Sequence, residues 1–254
     1  MQPQNHKDKI IDQFTKQAVP FTQVPGHQDG IEVLLRLSGV TRGHAVLDVA
    51  CGPGLVGCAF APHARHVTGV DITAKMIETA KERQREKGLS NLDWKVGGIA
   101  PLPFESGRFD AVITRYSFHH FEDPKAALAE MMRVCRPGGT VLVADVALPS
   151  EKIAAYDAVE KLRDPSHVHA LSLPEFRKLF SESGLSGVRS EFYGVPLELG
   201  AQLKASFPNP GDEPKIRAIF EADIGRDALG VGARKDGGGI YYEVPIAVFA
   251  GAKV

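Results

Sequence analysis

The sequence predicts an α/β protein built on a doubly wound, mostly parallel sheet, with an antiparallel C-terminal strand and a helical cap. Three observations carry this expectation. Short apolar runs alternate with helix-spaced segments over residues 45–146, the pattern of parallel strands joined by crossover helices. The first run ends in Gly52-Pro53-Gly54-Leu55-Val56-Gly57, a G-x-G-x-x-G turn that opens a helix and lets backbone N–H groups approach a ligand. The second run ends in Asp71, 19 residues beyond Gly52, the distance at which a strand-end carboxylate reaches two ribose hydroxyls.

Residues 6–37 are predicted as two helical pieces, broken near Pro20 and Pro25-Gly26. Ile10, Ile11, Phe14, Ala18 and Phe21 share an apolar face, suited either to cover the sheet or to form a flap with Phe14 and Phe21 lining a ligand. Ile31, Leu34, Leu35 and Leu37 give a second helix its face. Residues 45–49 form the first strand, 55–62 the helix after the glycine turn, 67–71 the second strand and 74–87 a long helix. Met76 and Ile77 face inward on that helix, Met76 either packing in the core or covering an adenine face. A third strand at 91–96 leads into the loop 97–104, and a fourth spans 108–114. Arg115-Tyr116-Ser117-Phe118-His119-His120-Phe121 follows at its carboxyl end, the edge where open parallel sheets bind ligands. Asp123 and Pro124 start a helix over 124–135, Arg136–Gly139 reads as a turn, and 140–146 is a fifth strand with Asp145 near its end. Right-handed crossovers make the sheet Rossmann-like and bring the glycine turn, Asp71, Gly98 and Arg115 to one crevice.

From Pro149 the pattern changes. Residues 150–163 and 173–183 are helical, joined by a polar connection containing His167 and His169. Residues 188–193 and 242–249 are strand-like, and about fifty residues separate them: helices are expected at 196–205 and 213–227, then the glycine-rich 230–239. An insertion that long between pairable strands reads as a lid or substrate wall. The expected organisation is a single domain over 1–254, with a core of 38–193 and 240–254, an N-terminal helical flap at 1–37 and a lid at 194–239.

Composition narrows the partners. The 254 residues are 43% hydrophobic and 24% charged with a formal net charge of −1, and no long Lys/Arg block is present. That argues against nucleic acid or an anionic membrane as an obligatory partner. No apolar run approaches the roughly 18 residues of a membrane helix, and Met1–Lys7 lacks the apolar core of a signal peptide. Cys51, Cys58 and Cys135 form no C-x-x-C pair and read as small buried residues in a reducing, cytoplasmic setting. No cluster has metal-ligand spacing.

Asp48 decides between ligands for the glycine turn. It lies inside the first apolar run, where a carboxylate needs a partner. An anion there would oppose a pyrophosphate and favour an ammonium or sulfonium. S-adenosylmethionine (SAM) therefore fits the turn better than a nicotinamide dinucleotide.

The motifs also have a familiar order. Asp48-x-x-Cys51-Gly52-Pro53-Gly54, Val70-Asp71, Leu102-Pro103-Phe104, Arg108-Phe109-Asp110, His119-His120-Phe121 and Arg136-Pro137-Gly138-Gly139 resemble the class I SAM-dependent methyltransferases. Within them the chain resembles the branch of the ubiquinone/menaquinone C-methyltransferases and many small-molecule enzymes (methyltransferase type 11). The resemblance covers about residues 10–146. It implies that Asp48 and the backbone of Ala50, Gly52, Pro53 and Gly54 hold the methionine part, and that Asp71 binds the ribose. It places Ile72 and Met76 beside the adenine, the Ile99 backbone at the ring, and the Arg115 carbonyl near the methionine amino group. Gly98 is a departure, since relatives carry Asp there to accept a bond from the adenine amino group.

The implied reaction transfers methyl from SAM to a C, O or N nucleophile of a small molecule, releasing S-adenosylhomocysteine (SAH). His119 is the candidate base, and His120 either serves the acceptor or closes the cofactor pocket. Tyr116, His167, His169 and Arg163 are candidates for the substrate side, while Phe14, Phe21, Tyr116, Phe118 and Phe207 hint at an apolar acceptor. Two other readings use the same turn: an NAD(P)-dependent oxidoreductase, and a SAM-binding protein without methyl transfer, pericyclase-like or a binding module.

Overall fold

The computed structural model describes residues 5–20 and 29–254. Five strands run parallel where the sequence alternates apolar and helical segments: β1 (Ala45–Val49), β2 (His66–Asp71), β3 (Leu92–Val96), β4 (Phe109–Arg115) and β5 (Cys135–Val146). Successive side chains of each strand feed opposite core layers. Val46, Ile113 and Leu142 pack with Leu34 and Phe60 on one side, and Leu47, Val112 and Val143 pack with Leu128 and Phe176 on the other. β1 pairs β2 on one flank and β4 on the other. The strand order reverses there, and crevices open at such points beyond the carboxyl ends.

The crossover helices begin where the chain supplies caps. α3 (Leu55–Phe60) starts after Gly54 at φ 76°, and α4 (Ala74–Glu86) follows β2. α5 (Pro124–Val134) is capped by Asp123, whose side chain accepts from Ala126 N. α6 (Ser150–Arg163) and α7 (Leu173–Glu182) cover the far end of the sheet, α7 opened by a capping box of Ser172 and Glu175. Antiparallel β6 (Ser186–Glu198) and β8 (Gly239–Ala252) complete the order β3-β2-β1-β4-β5-β8-β6, with short β7 (Arg234–Asp236) paired to β8.

Two expectations are corrected. Arg136–Gly139 is part of β5 rather than a turn: Gly138 takes φ 71°, and Gly138 N and Lys253 N bond across to Lys253 O and Gly139 O. A register shift against β4 absorbs the irregularity. Strand β6 runs through Pro196, so the helix expected from 196 begins only at Leu199. Proline is tolerated because β6 lies at the sheet edge. The remaining insertion forms α8 (Leu199–Ser206) and α9 (Glu213–Asp223), and the glycine-rich 230–239 contains the β7 arm of a hairpin.

The N-terminal helix α1 (His6–Gln17) is anchored by polar groups instead of its apolar face. Its buried residues are Gln13 and Gln17, and both amides donate to Ser206 O at the end of α8, Gln17 at 3.0 Å. Ile10, Ile11 and Phe14 are only half-buried, while Ala18 just beyond is buried. Phe21 lies outside the described residues. α2 (Ile31–Ser38) buries Leu34 and Leu37 as its spacing predicts. No described helix is long and apolar enough to cross a membrane.

Candidate functional site

A cavity of about 390 Å³ opens at the carboxyl ends of β1, β2, β4 and β5, between α1, α6 and α8. One half is built by the glycine turn. Asp48, buried in β1, accepts from Gly57 N through Oδ2 at 2.9 Å. Burial pushes its carboxyl up to about 7, against the Gly57 bond and the charge of Arg115, which pull it down. Ala50 and Gly52 take φ 52° and 49°, turning the Ala50–Pro53 backbone toward the cavity. Gly54 and Gly57 face the other way. A Cβ on Gly54 would come within 2.8 Å of Trp94, and one on Gly57 within 3.0 Å, so these glycines seat α3 on its neighbours.

Asp71 holds the turn from the second strand. Its Oδ2 accepts from Gly52 N at 2.9 Å and its Oδ1 from Thr73 N at 2.8 Å, so it organises the start of α4 and still lines the cavity. Burial raises its pKa, opposed by these two bonds. Ile72, Met76, Gly98 and Ile99 complete this wall. No atom lies within 4 Å of a Cβ added to Gly98, so the departure leaves open space. Arg115 donates to Asp29 O at 3.0 Å with its guanidinium 4.5 Å from the Tyr116 ring centre. Tyr116, at φ 58°, reaches the hydroxyl of Tyr193 at 2.9 Å.

The other half centres on His119. Its Nδ1 donates to Asp145 Oδ1 at 2.7 Å, while Asp145 also accepts from Phe118 N at 2.5 Å and Val146 N at 2.7 Å. Burial alone would lower the His119 pKa, but the charge and hydrogen bond of Asp145 outweigh it and hold the imidazole above its usual range. His120 falls to about 3, through burial and the neighbouring His119, and is neutral; its Nδ1 donates to Ser166 O at 3.1 Å. Phe14 packs edge-on against the His120 ring at 5.0 Å. From α6 come Tyr156, Glu160 and Arg163, followed by Asp164. Arg163 Nε lies 3.0 Å from both Glu160 oxygens, and Nη1 donates to Ser206 Oγ at 3.0 Å. Burial works against both charges, and their mutual attraction outweighs it, lowering Glu160 and raising Arg163.

The cavity therefore brings together Asp48, Ala50, Gly52, Pro53, Asp71, Ile72, Met76, Gly98, Ile99, Arg115, His119, His120, Phe14 and Tyr116. Gly54 does not line it. Neither do His167 and His169, because Asp157 takes both imidazoles at 2.7 Å and turns them away from the wall. Phe118 is buried against Phe121 and Phe176, and Phe207 is exposed. Sequence reading missed Gln17, Tyr156, Glu160, Asp164, Gln202 and Tyr242, and gave Asp145 no role. A usable signal was present in α6, where Asp157, Glu160 and Arg163 recur at the spacing of one helix face.

Residues 47–143 match the profile of a family described as "Methyltransferase domain". The chain is 28% identical over 247 residues to the uncharacterized methyltransferase YcgJ of Bacillus subtilis, covering 94% of this chain and 97% of that protein. It is 35% identical over 112 residues to demethylmenaquinone methyltransferase of Renibacterium salmoninarum, covering 44% of this chain and 45% of that enzyme. The crystal structure of YcgJ superposes with a TM-score of 0.81 at 26% identity, over 89% of this chain and 99% of that one. A putative methyltransferase of Bacillus halodurans follows the same fold with a TM-score of 0.79 at 22% identity, over 88% and 98%. Residues 47–143 thus carry a methyltransferase-domain signature and nearly the whole chain is similar to the methyltransferase YcgJ, in keeping with the class I methyltransferases its motifs resemble, a family whose cofactor is S-adenosylmethionine.

Proposed function

We propose that the chain transfers a methyl group from SAM to a C, O or N nucleophile of a small molecule held beside His119. The observation that carries this is the pair of buried carboxylates, Asp48 and Asp71, on either side of the Gly52 turn, in one cavity with the His119–Asp145 pair. The residues fit the group. The Asp48 carboxyl is raised to about 7 despite the charge of Arg115, and an ammonium or sulfonium beside it would favour its ionised form. Asp71 retains a lone pair on each oxygen for ribose hydroxyls after its two backbone bonds.

In this reading Asp48 and the Ala50–Pro53 backbone hold the methionine part, Asp71 the ribose, and Ile72, Met76 and Ile99 the adenine. The bound sulfonium supplies an already activated methyl, so the protein's work is alignment and exclusion of water. Asp145 fixes the His119 ring by its Nδ1–H and leaves Nε2 to take a proton from the acceptor. His120, neutral and bonded to Ser166, closes the wall without adding charge. The helix α1 acts as a flap and 194–239 as a substrate wall, through α8.

The test is incubation with methyl-labelled SAM and a panel of small acceptors. Label transfer that His119→Gln slows at least tenfold, with SAH affinity retained, supports the reading. SAH binding with no transfer to any acceptor contradicts it.

A further inference from the structure

The polar groups around His119 have a bias that the methyltransferase reading does not explain. Among the described residues, the cavity wall carries seven carboxylates (Asp48, Asp71, Glu122, Asp123, Asp145, Glu160 and Asp164) against three Lys/Arg side chains, Lys7, Arg115 and Arg163. Asp48 and Asp71 belong to the cofactor half, and Asp145 and Glu160 are paired with His119 and Arg163. Asp164 is different. It is 2% exposed, and no Lys or Arg nitrogen lies within ion-pairing distance among the described residues. Its Oδ1 accepts from Ser166 N at 2.9 Å and Ser166 Oγ at 2.5 Å. Its Oδ2 has only a long contact of 3.4 Å from the Gln17 amide.

A second, independent observation lies on α8. Gln202 lines the same cavity, is 8% exposed, and its Oε1 has no hydrogen-bond partner. A buried acceptor left unmatched is costly, so a donor from a ligand is the missing half. The one guanidinium on this side, Arg163, is already committed to Glu160 and Ser206. A carboxylate or phosphate here would face the Asp164 and Gln202 acceptors, while Arg163 is held by Glu160 and Lys7 is exposed. Val195, Leu197, Val244 and Ile246 add an apolar wall, beside the rings of Tyr156 and Tyr242.

We infer that the acceptor is an apolar amine, bound as its ammonium with N–H groups directed at Asp164 Oδ2 and Gln202 Oε1. This rests on the methyltransferase reading and names its substrate class. Methylation needs the nitrogen lone pair, so the ammonium gives one proton to Nε2 of His119 in its unprotonated form, the fraction of which grows as pH rises through the raised His119 value. The N–CH₃ bond then forms as the S–CH₃ bond breaks with its electrons left on sulfur. The product is the methylated ammonium, and the proton on His119 returns to solvent.

The experiment titrates the SAH complex with three probes sharing one apolar body: phenethylamine, 2-phenylethanol and phenylacetate. Phenethylamine is expected to bind at least tenfold tighter than either of the others. Asp164→Asn keeps an acceptor for Ser166 and should remove that preference, and Gln202→Leu should weaken the amine several-fold. SAH titration of each variant reports that the fold and cofactor half are intact. Equal binding of the three probes, binding of none, tighter phenylacetate, or a preference that survives Asp164→Asn overturns the inference. Failure of SAH itself to bind the wild type would instead overturn the methyltransferase reading.

Discussion

Replacing Asp48 by Asn should make the ligand-free protein more stable and the cofactor-bound protein weaker. The Asp48 carboxyl rises from 3.8 to about 7 because burial opposes its ionisation. A group whose folded pKa is raised contributes stability that is present below the unfolded value and lost as pH rises through the folded one. About three units at roughly 1.4 kcal/mol each bound the loss at about 4 kcal/mol between pH 4 and pH 8. Asn keeps a carbonyl for the Gly57 N–H, so the variant escapes the ionisation cost without losing that bond. At about 2–4 °C per kcal/mol for a chain of this size, the variant should melt several degrees above wild type at pH 8 and within a degree or two at pH 4. SAH affinity should fall at least tenfold at pH 8, where the wild-type carboxylate meets the ligand ammonium. Thermal unfolding at both pH values and calorimetric SAH titration measure these quantities. A stability difference independent of pH, or unchanged SAH affinity, would refute the reasoning.

The same site yields further expectations. Gly98→Asp enters open space and adds a charged acceptor facing the adenine wall, so SAH should bind up to about 10–100-fold tighter, worth roughly 1.5–3 kcal/mol, by titration. Asp145→Asn should shift the acidic limb of the rate–pH profile downward, because His119 loses the partner that raises it. The ionised pair stabilises the fold above the unfolded Asp range and below the unfolded His range; it fades as pH falls through the lowered Asp145 value or rises through the raised His119 value. The variant's loss of melting temperature should therefore be largest near pH 5. Gly54→Ala combines φ 76° with a Cβ 2.8 Å from Trp94, and should destabilise by roughly 1–3 kcal/mol in denaturant unfolding.

The parallel half of the fold was legible because each strand there is a short apolar run bounded by turn residues, and because Gly54 and Asp123 mark helix starts unambiguously. The cofactor wall was legible for the same reason: Asp48, Gly52 and Asp71 act at strand ends, whose positions follow from local pattern. Gly54 looked like part of that wall, yet its positive φ serves packing on Trp94 and Ala80. The acceptor side was not legible. Asp145, Glu160, Asp164 and Gln202 meet only through tertiary contacts among β5, α6 and α8. The expected candidates His167 and His169 were captured by Asp157, a partner that sequence spacing does not reveal as such. Pro196 and Gly138 misled in the same way, since edge position and cross-strand bonds overrode their usual role as breakers.

The most direct measurement is isothermal titration with SAH of the wild type and of Asp71→Ala, each checked for folding by its melting curve. Methyl transfer from SAM at this cavity requires tight SAH binding by the wild type. It also requires a loss of at least a hundredfold in the variant, since two hydrogen bonds to a charged acceptor contribute roughly 3 kcal/mol or more. Absence of SAH binding by the wild type, or equal binding by the folded variant, would contradict the assignment of this crevice.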